Sequence, residues 1–221
     1  MSAFFEKQIW HLLGAALLLL VAREAATSPD VLTGSWLGFS SAVWYWAGIW
    51  FAIGHQLFVM LVWRSQLHFG WITGRFGARG FIYYARGFAF FSFARIFFLI
   101  GLAIANRGTL PGDRLLFNLL GLVFLALVVW LMVSVLRYFS VHRALGADHF
   151  EEKYRQMGLV TGGIFTYINN GMYIVGLLFL WLPGLFLAAK GALLVGLFGH
   201  AYIWVHYFTT EKPDMRRIYG A

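Results

Sequence analysis

Hydrophobic positions along this chain fall in long unbroken runs, not in the short alternations of a soluble fold. Residues 31–63, 115–136, 156–189 and 191–210 contain no Asp, Glu, Lys or Arg. Each run is long enough for a spanning helix, which needs roughly 20 apolar residues. Residues 87–106 form a further run, broken only by Arg95. Residues 8–22 form a shorter one, flanked by Lys7 and Arg23, whose side chains can snorkel to the two interfaces. Backbone in lipid must satisfy its own hydrogen bonds, so such segments are helices or barrel strands. Continuous runs without a period of two select helices. The pattern predicts an all-α, polytopic integral membrane bundle of five to six transmembrane helices.

Turn signals divide these runs. Residues 1–70 read as an N-terminal helix pair joined by AREAATSPDVLTGS, with Ser28-Pro29-Asp30 as the turn. The connector FGWITGRFGARGF, if helical, puts Arg75, Arg79 and Arg86 on one interfacial stripe. NRGTLPGDR is a second turn, and RYFSVHRALGADHFEEKYRQMG is a polar helix or ordered loop. The last apolar region is expected to bend at Trp181-Leu182-Pro183-Gly184, because proline followed by glycine interrupts a helix. That gives a C-terminal helical hairpin, with a short arm over 170–182 and a longer return over 185–208.

Composition agrees with the pattern. Only 12% of residues are charged, against about 25% in soluble domains, which excludes a water-soluble fold. The net charge of +8 reads as cytoplasmic loop charge and not as a nucleic-acid surface. Six crossings put twelve of the 17 Lys and Arg residues on one side. Arg23, Arg107, Arg114 and Lys190 fall on the other, and Arg95 stays in the membrane. Both termini, and the loop before residue 159, are therefore expected in the cytoplasm. No small-x-small cleavage site precedes Arg23-Glu24, so the first run reads as a retained helix. The chain has no cysteine, which removes disulfides and thiolate chemistry.

Polar residues concentrate near the C-terminal end. On one helix His200, Trp204, Tyr207 and Glu211 share a stripe, with Gly199, Tyr202, His206 and Thr210 beside it. His200 and His206 are six apart, on different faces, and no HExxH motif occurs, so no metal site is expected. Gly162, Gly163, Gly171 and Gly176 permit close backbone approach. Arg95, an arginine inside a spanning segment, is expected to face the bundle interior or water.

Two segments carry a resemblance. LVTGGIFTYINNGMYIVG resembles the motif before the C-terminal hairpin of membrane-embedded methyltransferases, and HYFTTEKPDMRRIYG resembles their terminal acidic segment. These are the phospholipid (phosphatidylethanolamine) N-methyltransferases and the related isoprenylcysteine carboxyl methyltransferases. The motif region is 142–220, within a methyltransferase-like membrane core over 71–221. The resemblance implies a cytoplasm-facing pocket for S-adenosylmethionine, with S-adenosylhomocysteine as product. Thr161, Gly163, Asn170, Met172, Tyr173 and Gly176 match the first motif. His206, Tyr207, Glu211, Pro213, Met215, Tyr219 and Gly220 match the second. Asn169-Asn170-Gly171 stands where the carboxyl methyltransferases have Arg-His-Pro, which favours the phospholipid branch, and Leu145–Phe150 resembles a run of that branch. Lys212 replaces the second glutamate of the usual pair.

Methyl transfer to an amine needs alignment, exclusion of water and removal of a proton from a group with a pKa of about 10.4. His200, His206 and Glu211 are the candidates to receive it. Arg95, Asn169 and Trp204 are the candidate acceptor contacts, and the aromatic rings of Tyr173, Trp204 and Tyr207 suit a sulfonium or ammonium. The expected acceptor is the amine of an ethanolamine phospholipid in the bilayer. The alternatives are a prenylcysteine carboxylate, a small thiol, or a non-catalytic membrane scaffold or transporter. The charge bias makes a direct prediction: single cysteines introduced at Gly112 and at Asp148 should label from opposite faces of the membrane. Labelling of both from one face would overturn the topology.

Overall fold

Of the uncharged runs, 115–136, 191–210 and most of 31–63 lie in helical stretches of spanning length, whereas 156–189 holds only a shorter one. In a computed structural model, which describes residues 3–158 and 160–220, Leu159 at the start of the first motif lies outside the described residues. In chain order the elements are α1 (Gln8–Ala25), the short strands β1 (Ser35–Trp36) and β2 (Phe39–Ser40), α2 (Ser41–Phe69), α3 (Trp71–Phe76) and α4 (Gly80–Ala105). There follow α5 (Arg114–Ser134), α6 (Val141–Ala144), α7 (Glu152–Arg155), α8 (Gly171–Ile174), α9 (Leu182–Phe186), α10 (Lys190–His206) and α11 (Lys212–Tyr219). Among the described residues, five helical stretches are long and apolar enough to cross a membrane: Ala3–Ala25, Ser41–Phe69, Trp71–Ala105, Arg114–Phe139 and Lys190–Tyr219. Gly171–Phe186 is a shorter apolar helical stretch. The chain is an all-α polytopic membrane bundle.

Helix α10 is the centre of this bundle. The core gathers Ala15 and Ala22 from α1, Trp44, Tyr45 and Ile49 from α2, Leu99 and Leu102 from α4, and Ala192, Val195 and Tyr202 from α10. Small residues set the spacing. A Cβ on Gly101 would lie 2.4 Å from the Trp44 ring, and one on Gly14 would lie 2.8 Å from Val205, so helices approach where side chains are absent. Polar groups in the core find partners across helices: Tyr45 Oη donates to the Ala22 carbonyl at 2.8 Å, and Tyr202 Oη lies 2.8 Å from His11 Nε2. The opposite surface is apolar. Leu115, Leu119, Leu122, Val129 and Val133 of α5 are all exposed, as a lipid-facing helix requires.

Two expectations are corrected here. Pro183 does not bend the chain: it sits in the first turn of α9, where its missing N–H has no helical partner to lose. The turn comes at Ala188, whose φ is 46°, and the expected short helical arm is divided into α8, a 3-10 turn over Gly176–Trp181, and α9. The arginine connector is also broken. Gly77, with φ 57° and ψ −143°, ends α3, so Arg75 and Arg86 lie on different helices and share no stripe.

Three loops are knotted at the bundle end beside that turn. Asn106, fully buried, donates to the carbonyls of Asp30 (2.7 Å) and Thr33 (2.9 Å) and accepts from Gly191 N (2.7 Å) and Thr109 Oγ1 (2.9 Å). Lys190 Nζ donates to Ser28 Oγ at 2.9 Å. Replacing Asn106 with leucine strands several buried groups, each costing about 1–3 kcal/mol. Asn106→Leu should therefore lower the melting temperature in detergent clearly, while Asn118→Leu, at an exposed position on α5, should leave it near the wild-type value.

Candidate functional site

At the other bundle end, α10 does not run straight into α11. A π turn over Tyr207–Glu211 joins them, inserting one extra residue into the helical register. The expected stripe divides along the helix axis: Tyr207 and Glu211 reach a cavity, whereas His200 and Trp204, a turn or more earlier, do not. Tyr207, Glu211, Met215 and Tyr219, each four apart, line one cavity of about 520 Å³. His206 turns to a second cavity.

The larger cavity is walled by Trp63 from α2, Arg143, Ala144 and Gly146, Asp148-His149, and Thr161 with residues 168–173. Its volume lies in the range of small-molecule sites, about 300–1,000 Å³. Asn170 enters α8 in the left-handed conformation, with φ 57° and ψ 33°. Asparagine tolerates that conformation better than most residues, so part of its requirement is local geometry. Tyr173 Oη donates to the Glu211 carboxylate, and the Tyr173 ring packs against Tyr207 (5.5 Å between centroids) and Trp204 (6.0 Å). Gly146, with φ 81°, lets the backbone pass over the Trp63 indole, which a Cβ would approach to 2.4 Å. Trp63 in turn stacks on His149 with centroids 4.2 Å apart.

Behind this wall runs a chain of buried charges. Arg64 Nη2 lies 3.3 Å from Asp214 Oδ1, both side chains fully buried. The guanidinium also donates to the carbonyls of Phe4 (2.6 Å), Glu6 (2.8 Å) and Thr209 (3.1 Å). Asp214 Oδ2 is 3.8 Å from His149 Nε2, too far for a hydrogen bond but close enough for strong electrostatic contact. His149 Nδ1 lies 3.1 Å from Asp148 Oδ1, and Tyr219 Oη donates to Asp148 Oδ2 at 3.0 Å. Burial acts hardest on His149 and would lower its pKa. The hydrogen bond to Asp148 and the Asp214 carboxylate outweigh it and hold the imidazole above its ordinary 6.5. Burial likewise pushes Asp148 up, but the bonds to His149 and Tyr219 and the nearby charges hold it below 3.8.

The second cavity, about 240 Å³, lies among the membrane helices and is lined by His55, Gln56, Ser92, Arg95, Phe179 and His206, among others. Trp63, Ala144, Met172, Tyr173 and Glu211 line both cavities.

The sequence-derived candidates divide between the two cavities, with Met172, Tyr173 and Glu211 on both. Thr161, Asn169, Asn170, Met172, Tyr173, Tyr207, Glu211, Met215 and Tyr219 line the larger cavity. Arg95 and His206 line the second. His200 and Trp204 line neither: the Trp181 indole donates to His200 Nδ1 at 3.1 Å, and Trp204 backs Tyr173. Gly163 and Gly176 serve packing on α5, where added Cβ atoms would meet Ser134 Oγ at 2.5 Å and Leu131 Cδ2 at 2.8 Å. Pro213 lies in the first turn of α11, and Gly220 caps its end with φ 71°. Trp63, Arg143, His149 and the Arg64–Asp214 pair are not among the sequence-derived candidates. The polar LGADHF run signals only Asp148-His149.

A family model described as phospholipid methyltransferase matches residues 116–221. That region is similar to this family. Phosphatidylethanolamine N-methyltransferases from Neurospora crassa and Sordaria macrospora are each 28% identical to the chain over 109 residues. The one from Talaromyces marneffei is 30% identical over 110 residues. Each match covers 49% of this chain and 11% of the relative, so the chain spans a small part of the proteins it resembles. No solved structure matches. The matched region contains every larger-cavity residue except Trp63.

The charge chain predicts how stability depends on pH. His149 is raised above 6.5, so its contribution is complete below about pH 6.5 and is lost as pH rises through the elevated folded value. Asp148 is depressed below 3.8, so its contribution is complete above about pH 3.8 and is lost as pH falls through the lower folded value. Melting temperature should plateau between these limits, and His149→Gln should flatten the alkaline decline. An alkaline limb unchanged in that variant would remove His149 from the account.

Proposed function

We propose that this chain is an S-adenosylmethionine-dependent methyltransferase whose acceptor is the amine of an ethanolamine phospholipid. One observation carries the reading: Tyr173 and Glu211 line both a wide cavity with charged and amide groups in its wall and a smaller one among the membrane helices. A reaction joining a polar donor to a membrane acceptor needs such a shared wall. The family match and the relatives named above support the same chemistry.

The larger cavity fits the donor molecule. Glu211 offers a carboxylate to amino or hydroxyl groups, Arg143 a guanidinium to a carboxylate, and Asn169 and Asn170 amides to a polar ring edge. The Tyr173 and Tyr207 rings suit a sulfonium. When bound, S-adenosylmethionine supplies a methyl group on a good leaving group, so no metal or covalent intermediate is required of the protein. The work left to the residues is alignment and dehydration. Trp63, Met172 and Phe165 provide apolar wall. The acceptor amine must also lose a proton. Glu211, with Tyr173 Oη donating to it, and His206, whose two ring nitrogens are buried without partners, are the groups in reach of the shared wall.

The site and both termini belong on the cytoplasmic side in this reading, because positive charge gathers there. Residues 1–70 form a helix pair that supports a core over 71–221.

Glu211 gives the test. A hydrogen bond to a charged group contributes about 1.5–3 kcal/mol, so Glu211→Gln should weaken S-adenosylhomocysteine binding roughly 10- to 150-fold by calorimetry. Glu152→Gln, in an exposed residue of α7, should bind as wild type does. Equal small losses in both would sink the assignment.

A further inference from the structure

Arg95 is the one cation on the second cavity, and among the described residues no carboxylate lies within ion-pair distance of it. A guanidinium at membrane depth without a counter-charge is costly. Its surroundings are built, not accidental. Gly199 leaves room for it, since a Cβ there would lie 2.8 Å from Nη2. On the other side Nη1 lies 3.3 Å from His55 Nδ1. Arginine can only donate, so Nδ1 accepts and the imidazole proton sits on Nε2. That Nε2–H is buried and has no partner, and His55 lines the cavity together with Ser92 and Gln56. The Arg95 end thus presents donors: a guanidinium, an imidazole N–H, a hydroxyl and an amide. The end shared with the larger cavity presents Glu211, an acceptor.

We propose that the Arg95–His55–Ser92 end of this cavity binds the ester phosphate of the acceptor, so that a zwitterion lies across it with its phosphate at Arg95 and its amine toward Glu211. The inference rests on the methyltransferase reading for the role of the amine, but not for the phosphate site. It separates acceptors by charge. A phosphodiester lipid satisfies both ends, a neutral thiol satisfies neither, and an alkylamine satisfies only the Glu211 end.

The test uses the purified chain in an uncharged maltoside detergent. Two quantities are read, methyl transfer from S-adenosylmethionine and thermal stabilisation by added acceptor. The acceptors are dihexanoylphosphatidylethanolamine, water-soluble phosphoethanolamine and a single-chain alkylamine. Arg95→Gln should raise KM for the phospholipid about tenfold or more and abolish the stabilisation, with KM for the alkylamine unchanged. Arg95→Lys, which keeps the charge but not the fork of donors, should fall between. Binding of S-adenosylhomocysteine, measured on each variant, reports that it is folded, and if the glutamine variant is not, the lysine variant carries the comparison. Phosphoethanolamine acting as well as the lipid supports the phosphate site with a soluble source, and lipid acting alone supports it with a membrane source. Arg95-dependent stabilisation without methyl transfer keeps the site and overturns the methyltransferase reading. Transfer to the phospholipid that ignores Arg95, or equal losses on phospholipid and alkylamine, overturns the site.

Discussion

A buried guanidinium holds its position only where the protein replaces the water it has lost, and Arg64 draws that replacement from four separate places. The carbonyls come from residues 4, 6 and 209, and the counter-charge from Asp214 on α11. Asp214 then faces His149, which is held by Asp148, which is held by Tyr219. One line of charge therefore joins the N-terminal segment, α2, the loop after α6 and the C-terminal helix. Losing one member leaves its neighbour charged and dry, a cost of about 3–5 kcal/mol. The larger cavity lies directly on this line, since His149, Asp148 and Tyr219 are part of its wall. The same contacts that close the fold thus shape the site.

One helix serves two cavities through adjacent positions. His206 and Tyr207 point about 100° apart, so His206 lines the smaller cavity while Tyr207, with Glu211, Met215 and Tyr219 at intervals of four, lines the larger one across the π turn. Glu211, at the end of that turn, borders both. A carboxylate so placed can meet groups arriving from either cavity.

The spans were legible because each is a long apolar run, free of formal charge except for Arg95 in α4, and only lipid or a deep core tolerates that. The cavity-lining residues of the first motif were legible from the polar cluster at 169–173 and from the resemblance. Three features were not. Pro183 carried a turn signal, yet proline is equally at home in a first helical turn, and the real turn at Ala188 has no marker residue. A π insertion has no composition of its own. The charge chain joins residues far apart in sequence, and a lone Arg64 at the end of an apolar run reads as an interface anchor until its partner is seen.

Helix α10 is held at its two ends by different physics, and this gives the π turn its permanence. At the start, Gly191 N and Lys190 Nζ are hydrogen-bonded to Asn106 and Ser28 in a knot of loops without an ion pair among the described residues. Beyond the end, Arg64 accepts its place only if the Thr209 carbonyl and Asp214 both reach it. The Thr209 carbonyl lies inside the π turn and Asp214 just after it. Returning that turn to ordinary α-helix would rotate α11 by about 100° and carry Asp214 away from the guanidinium. The irregular turn is therefore kept by the buried charge, and with it the rotation of α11 that brings Met215 and Tyr219 to the larger cavity.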